Sequence, residues 1–150
     1  MATSLFAQRQ AAQGGSAGRI PEGRFVVAVG DTHGRLDLLD RLWPQIEDLA
    51  RQSAARERTI VFLGDYIDRG PASRQVIETL MTGLPDGMQA ITLKGNHEDM
   101  LLKSLISPTG MELWCSNGGE ATLRSYGIHR ASVVSQEIVE ALGPHRRFFD

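Results

Sequence analysis

The sequence predicts an α/β domain with a parallel sheet, and three observations lead to that prediction. Short apolar runs at residues 25–29, 59–63 and 90–93 have the length and composition of buried strands. Stretches with apolar residues three and four positions apart follow these runs, as in amphipathic helices. Such alternation gives parallel strands joined by right-handed crossovers. Glycine and polar residues follow each run, at the sheet edge where α/β proteins bind ligands.

Composition indicates a soluble globular protein of one domain. The chain has 150 residues and a formal net charge of −2, with acidic and basic residues interspersed. We therefore expect neither nucleic acid nor a membrane surface as a partner. No run approaches the roughly 20 apolar residues of a membrane span, and the N-terminus has no signal-peptide pattern, which points to the cytoplasm. Cys115 is the only cysteine and has no activating histidine beside it, so we expect an inert thiol.

The first strand and helix follow a polar leader. Residues 1–22 are rich in Ala, Gln, Gly and Ser and predict a disordered leader, which leaves 23–150 for the domain. The strand at 25–29 has no polar position and is predicted to be buried on both faces. The next helix carries one apolar stripe, formed by Leu36, Leu39, Leu42, Trp43, Ile46 and Leu49. Pro44 interrupts this pattern and predicts a kink or a break.

Two more strand–helix units follow. After the strand at 59–63, Pro71 occupies a position that a first helical turn tolerates. The apolar stripe of that helix consists of Val76, Ile77, Leu80 and Met81. Residues 84–87 (LPDG) predict a turn before the strand at 90–93. The third helix has its apolar residues at Met100, Leu101, Leu102, Leu105 and Ile106, and Pro108 ends it.

The remainder of the chain is less regular. Residues 117–119 (NGG) predict a loop. Residues 120–126 predict a short helix that stops at Gly127, and residues 133–142 predict a further helix.

Three motif segments carry the candidate chemistry: 30–34 (GDTHG), 64–70 (GDYIDRG) and 95–98 (GNHE). Because each follows a predicted strand, we expect them to converge at one edge of the sheet. Asp31 and His33 are spaced to reach one metal ion. Asp65 has two oxygens and is able to bridge two ions, and Asn96 offers a carbonyl oxygen to the second. Mixed oxygen and nitrogen ligands suit manganese, iron or zinc better than calcium.

The other polar residues of the motif segments have distinct predicted roles. Arg69 presents a fork of donors that matches phosphate oxygens. His97 is a candidate general acid for the departing oxygen, and Asp68 is a candidate partner that fixes its orientation. Two metals act as a clamp for in-line displacement at phosphorus. The three segments together therefore predict phosphoester hydrolysis.

The motif segments resemble those of the calcineurin-like metallophosphoesterases. The Asp-Arg-Gly ending is similar to the phosphoprotein phosphatase branch, and Trp114, Asn117-Gly118-Gly119, Thr122-Leu123 and Tyr126-Gly127 look like its bacterial members. The resemblance implies an αββα sandwich and two divalent metal ions, with manganese as the first choice and iron or zinc as alternatives. It implies metal binding by Asp31, His33, Asp65 and Asn96, phosphate binding by Arg69, and proton donation by His97 paired with Asp68.

The resemblance implies a serine/threonine protein phosphatase that acts by direct attack of a hydroxide held between the metals. The substrate would then be a phosphorylated protein or a small phosphoester. The first alternative is a dinucleoside polyphosphate hydrolase, such as those that cleave diadenosine tetraphosphate. The second is a catalytically silent fragment.

The sequence departs from the family pattern in one respect. Members normally carry two further metal-binding histidines, in Val-His-Ala-Gly-like and Gly-His-Thr-like strand ends, and neither segment is present. His129 and His145 end no apolar strand, so we expect them to be solvated or locally bonded. The chain is therefore interpreted as the N-terminal part of a metallophosphoesterase domain, truncated after that half. One apolar sheet face is then expected to lack its partner sheet.

Overall fold

A computed structural model, which describes residues 18–129 and 134–150, contains one three-stranded parallel sheet in the order β1-β2-β3. The strands are β1 (Arg24–Val29), β2 (Glu57–Phe62) and β3 (Gln89–Thr92). Val29 pairs with Phe62, and Phe62 pairs with Thr92, so the carboxyl ends of the strands lie side by side. The predicted α/β class is confirmed. Residues 1–17 of the predicted leader and Val133 lie outside the described residues.

Helices follow each strand, as predicted. They are α1 (Leu36–Gln52), α2 (Ser73–Thr82), α3 (Asn96–Ser104), α4 (Pro108–Trp114), α5 (Glu120–Ser125), α6 (Ser135–Leu142) and a terminal 3₁₀ helix (Gly143–Phe148). Pro71 lies before α2 rather than in its first turn, because α2 begins only at Ser73. Along the described residues, every helix is too short or too polar to cross a bilayer.

The predicted loop at 117–119 is wrong. Cys115–Gly119 forms a π-helical turn that joins α4 to α5, with the kink at Gly118, whose φ is 105°. Glycine adopts this left-handed conformation without a steric penalty, so the chain bends while helical hydrogen bonding continues on both sides.

Of the two outcomes predicted at Pro44, a kink or a break, the break is absent, because α1 runs through Pro44 without interruption. Pro44 is exposed, whereas Leu39, Ile46 and Ala50 of the same helix are buried in the core. Burial of these residues on both sides of Pro44 holds the two halves in one helix. Pro44 has no N–H group, so the helical hydrogen bond that its nitrogen would donate is missing.

Pro44→Ala is therefore expected to stabilise the chain. The substitution restores a helical hydrogen bond and removes a penalty of about 3 kcal/mol relative to alanine, while the unfolded chain regains about 1 kcal/mol of freedom. We expect a net gain of about 1–2 kcal/mol in the free energy of unfolding, measured by urea denaturation. Pro21→Ala, which lies outside any helix, is the control and should give no gain. Equal effects of both substitutions would contradict this explanation.

Among the described residues, helices cover only one face of the sheet. On that face Ile60 and Phe62 of β2 are fully buried, and the rings of Phe62 and Trp43 meet edge to face with centroids 6.1 Å apart. On the other face Val26 is 36% exposed and Ile91 is 50% exposed. Because the strands lie in chain order, right-handed crossovers place α1 and α2 on the same side. The prediction of strands buried on both faces is thus wrong, and the expected open apolar face is present.

Candidate metal and phosphate site

The three motif segments meet at the carboxyl ends of the strands, as predicted. The N–H groups of Thr32 and His33 donate to the Asp65 carbonyl over 3.0 and 2.9 Å. The Gly70 N–H donates to the His33 carbonyl over 3.0 Å, which joins the first two segments a second time. The third segment joins through the His97 N–H, which donates to Asp65 Oδ1 over 3.0 Å. Asp65 therefore contacts both other segments.

His33 and His97 each direct Nε2 toward the space between the three motif segments. Nδ1 of His33 lies 2.8 Å from the Ile67 carbonyl, and Nδ1 of His97 lies 2.7 Å from Asp68 Oδ2. Because these oxygens accept hydrogen bonds, each Nδ1 carries the proton and each Nε2 keeps a lone pair when the ring is neutral. The two rings meet edge to face with centroids 4.6 Å apart.

A donor set for a metal ion is present among the described residues. One ligand atom each from His33, Asp65 and His97 lies within 4.8 Å of the others. Imidazole nitrogen with carboxylate oxygen suits manganese, iron or zinc. Metal-binding histidines usually bond their second nitrogen to an oxygen, as both histidines do here. The residues present therefore fit a divalent metal.

The remaining predicted metal ligands lie beside this group. The carboxylate of Asp31 is exposed and lies 3.7 Å from His33 Nε2. Asn96 is the first residue of α3, directly before His97. His97 was predicted from the sequence as a proton donor, and the structure also places it among the candidate metal ligands.

Arg69 faces both histidines. Its Nη1 lies 2.8 Å from His33 Nε2, and its Nη2 lies 3.0 Å from His97 Nε2. The guanidinium thus points into the space that the candidate ligands share, where its fork of donors matches phosphate oxygens. A guanidinium N–H and a metal ion need the same lone pair of His33, so Arg69 must release that nitrogen when a metal binds it.

Asp68 is fully buried behind His97 and touches it as predicted. Its carboxylate also accepts hydrogen bonds from Trp114 Nε1 (2.9 Å to Oδ2) and from the Thr122 hydroxyl (2.7 Å to Oδ1). Burial raises the pKa of Asp68 above its ordinary value, and the hydrogen bonds from Thr122, His97 and Trp114 oppose that increase.

Glu98 is a further residue at this site, and the sequence alone predicted no role for it. It is 1% exposed, and its Oε2 accepts from the N–H groups of Asp65 (2.8 Å) and Gly95 (2.9 Å). Oε1 accepts from the Tyr66 N–H over 2.8 Å. Glu98 therefore holds the loops after β2 and β3 together. The available signal was its position three residues after Gly95 at a helix start, which is the spacing of a capping box.

Backbone strain is concentrated in the site. The non-glycine residues with positive φ are His33 (42°), Asp65 (55°), Asp68 (73°) and Arg69 (66°) within the described part of the chain. Such conformations cost about 1 kcal/mol or more each and persist only where surrounding contacts enforce them. Gly95 adds a close approach, because a Cβ there would lie 2.2 Å from Asp65 Oδ1. Concentrated strain of this kind is typical of functional sites.

Two of three other residues behave as the sequence predicted. His145 is instead buried and bonded to residues distant in the chain, with Nδ1 2.9 Å from the Tyr126 hydroxyl and Nε2 2.7 Å from Glu78 Oε2. His129 is exposed. Burial raises the pKa of the Cys115 thiol, which favours the unreactive protonated form.

Comparison with known proteins identifies the family of the chain. The sequence model of the calcineurin-like phosphoesterase family matches residues 26–143. The chain is 31% identical over 97 residues to serine/threonine-protein phosphatase 2 of Escherichia coli (strain K12), covering 65% of this chain and 39% of the relative.

Two further relatives are named bis(5'-nucleosyl)-tetraphosphatase PrpE [asymmetrical]. The protein from Oceanobacillus iheyensis is 36% identical over 102 residues, covering 65% of this chain and 39% of the relative. The protein from Anoxybacillus flavithermus is 35% identical over 69 residues, covering 46% of this chain and 26% of the relative. The chain thus spans about two fifths or less of the length of these relatives. Since the family model matches most of the sequence, the chain belongs to the calcineurin-like phosphoesterase family.

Proposed function

We propose that this chain carries the metal-binding and phosphate-binding residues of a metal-dependent phosphoester hydrolase of the serine/threonine protein phosphatase type. The observation that carries the proposal is a donor set in which ligand atoms of His33, Asp65 and His97 lie within 4.8 Å of one another. The Arg69 guanidinium lies within hydrogen-bond distance of both imidazoles. Family membership and the similarity to a bacterial serine/threonine phosphatase support it.

Each residue has a proposed role in that reaction. Asp31, His33, Asp65 and Asn96 would hold two divalent ions, with manganese as the first choice. A bound metal supplies Lewis-acid stabilisation of phosphoryl oxygens and lowers the pKa of bound water. Arg69 binds the substrate phosphate through its fork of donors. His97 donates a proton from Nε2 to the leaving oxygen, and the Asp68 carboxylate at Nδ1 stabilises the charged ring that donation requires.

A dinucleoside polyphosphate is the second candidate substrate class. The observation that favours it is the similarity to two relatives named bis(5'-nucleosyl)-tetraphosphatases. The phosphate contacts from Arg69 serve either substrate. Rates of hydrolysis of a serine phosphopeptide and of diadenosine tetraphosphate, measured on the same preparation, separate the two candidates.

Removal of metal is expected to abolish hydrolysis of an aryl phosphate such as p-nitrophenyl phosphate. Without divalent ions the site has no group that acidifies water near neutral pH. We expect the rate to fall to background after chelation and to return on titration with Mn²⁺. Elemental analysis of the purified chain gives the number of ions held. Hydrolysis that persists in excess chelator would refute the proposal, and bound metal without turnover would indicate a catalytically silent chain.

A further inference from the structure

The connection between α4 and α5 contacts Asp68 and Arg69. The proposed function assigns Asp68 to the orientation of the proton donor His97 and Arg69 to phosphate binding. This segment, residues 114–122, runs from the end of α4 through the π-helical turn into α5 and is called the α4–α5 connection below. Trp114 and Thr122 at its two ends are both buried. Their burial excludes direct contact with substrate, so any effect on the reaction passes through a neighbour.

At its two ends, the connection fixes the Asp68 carboxylate. The Thr122 hydroxyl donates to Asp68 Oδ1 over 2.7 Å and accepts from the Asp68 N–H over 2.8 Å. Trp114 Nε1 donates to Oδ2 over 2.9 Å, and that oxygen also receives Nδ1 of His97 at 2.7 Å. Thr122 and Trp114 therefore hold both carboxylate oxygens of Asp68, and the oriented carboxylate in turn holds the imidazole of His97.

At its middle, the connection fixes the backbone of Arg69. The Arg69 N–H donates to the Gly118 carbonyl over 3.1 Å. A Cβ on Gly118 would lie 2.9 Å from Arg69 Cγ and 3.0 Å from the Arg69 nitrogen. Gly118 thus permits an approach to Arg69 that a larger residue would prevent.

Both contacted residues need external support. Asp68 and Arg69 have φ values of 73° and 66°, in the left-handed region that non-glycine residues avoid. Such conformations persist where surrounding contacts over-determine them. The hydrogen bonds that the N–H groups of Asp68 and Arg69 donate to Thr122 and Gly118 are such contacts, and they act on two adjacent residues of the same strained turn.

We propose that the α4–α5 connection is a positioning element for the reaction. Thr122 and Trp114 align His97 through Asp68. Gly118 fixes the backbone position from which the Arg69 side chain extends. The inference rests on the proposed function, which makes His97 the proton donor and Arg69 the phosphate-binding residue. It adds that proton donation and phosphate binding are positioned separately by different residues of one segment.

Thr122→Val tests the first half. Valine keeps the shape of threonine and removes the hydroxyl, so we expect kcat for an aryl phosphate to fall about tenfold or more with KM within about twofold, in line with the usual cost of losing an outer-shell contact. Thr122→Ser retains the hydroxyl and should restore most of kcat. Thr82→Val is the matched control, because the Thr82 hydroxyl is exposed on α2 and donates to the Glu78 carbonyl of the same helix.

Gly118→Ala tests the second half. We expect KM to rise about tenfold with little change in kcat, because the added methyl group displaces Arg69 and leaves His97 in place. Gly127→Ala is the matched control. Its φ of 85° imposes comparable left-handed strain, but nothing lies within 4 Å of the added Cβ. A variant of Gly118 that fails to fold while Gly127→Ala folds leaves the decision to the Thr122 variants.

A spectroscopic measurement tests the inference independently of turnover. In ¹⁵N NMR spectra of the chain, Thr122→Val should shift the ring nitrogens of His97 and the indole N–H of Trp114, and Thr122→Ser should return them toward wild type. The indole of Trp43 serves as an internal reference. If wild type proves inactive, the proposed function fails while this measurement still decides the inference. His97 and Trp114 resonances in Thr122→Val that match those of Thr82→Val would overturn it.

Discussion

Asp65→Asn is expected to lower the affinity of the chain for Mn²⁺ by at least about 100-fold and to abolish metal-dependent hydrolysis. Loss of outer-shell partners alone typically costs about 10–100-fold in metal affinity, so loss of a ligand charge should cost no less. Asparagine is a clean replacement at this position. It tolerates the left-handed φ of 55° at residue 65 and keeps an oxygen to accept the His97 N–H. The free energy of unfolding should therefore change little.

Calorimetric titration with Mn²⁺ measures the effect. Asp86→Asn is the control, because Asp86 is exposed in the turn before β3, at the opposite end of the parallel strands. Wild-type Mn²⁺ affinity in Asp65→Asn would show that the carboxylate holds no metal.

His97→Ala completes this test by separating two roles that the structure allows. A proton donor contributes about 100- to 10,000-fold to the rate, so we expect kcat to fall within that range. As a proton donor alone, His97 makes no contribution to metal binding, and Mn²⁺ affinity should stay within about threefold of wild type. A large loss of Mn²⁺ affinity would instead assign His97 to the metal, together with His33 and Asp65.

Glu98→Ala is expected to lower the free energy of unfolding by about 3–5 kcal/mol. The buried carboxylate accepts from the N–H groups of Asp65, Tyr66 and Gly95. Each buried donor left without a partner costs about 1–3 kcal/mol, and the three losses occur in one place. Because Asp65 is one of the three residues, the loss of stability should be accompanied by weaker metal binding.

Urea denaturation of three variants measures the contribution of Glu98. Glu98→Gln keeps one acceptor oxygen and should fall between wild type and Glu98→Ala. Glu112→Ala removes an exposed carboxylate from α4 and should change the free energy of unfolding by less than about 0.5 kcal/mol. Equal stability of Glu98→Ala and Glu112→Ala would mean that the loops after β2 and β3 hold together without this carboxylate.

The sequence predicted what local pattern determines. Apolar period and glycine placement were sufficient for the strands, for the order of the helices and for the convergence of the three motif segments. The helix does not break at Pro44, because tertiary packing of Leu39 and Ile46 overrides a local penalty. The loop predicted at residues 117–119 is absent because glycine pairs are typical of loops, whereas Gly118 here forms a kink between two helices.

Long-range contacts explain what pattern reasoning missed. Trp114 and Thr122 lie 46 and 54 residues from Asp68, and no periodicity connects positions so far apart. Within each strand the pattern does not show which face lies open, since Val26 and Ile91 are as apolar as Ile60 and Phe62 on the covered face. Only the order of the strands, which equals their order in the chain, leaves these side chains uncovered.

The sequence separations within the site also determine when it assembles during folding. Asp65 and Glu98 are 33 residues apart, Asp68 and His97 are 29 apart, and Asp68 and Thr122 are 54 apart. The entropy lost on closing a loop of this length exceeds the net stabilisation from one hydrogen bond. We therefore expect these bonds to form after the sheet has brought their residues together. The polar site should thus assemble late in folding. The hydrogen bonds that enforce its left-handed turns should then slow unfolding rather than speed collapse.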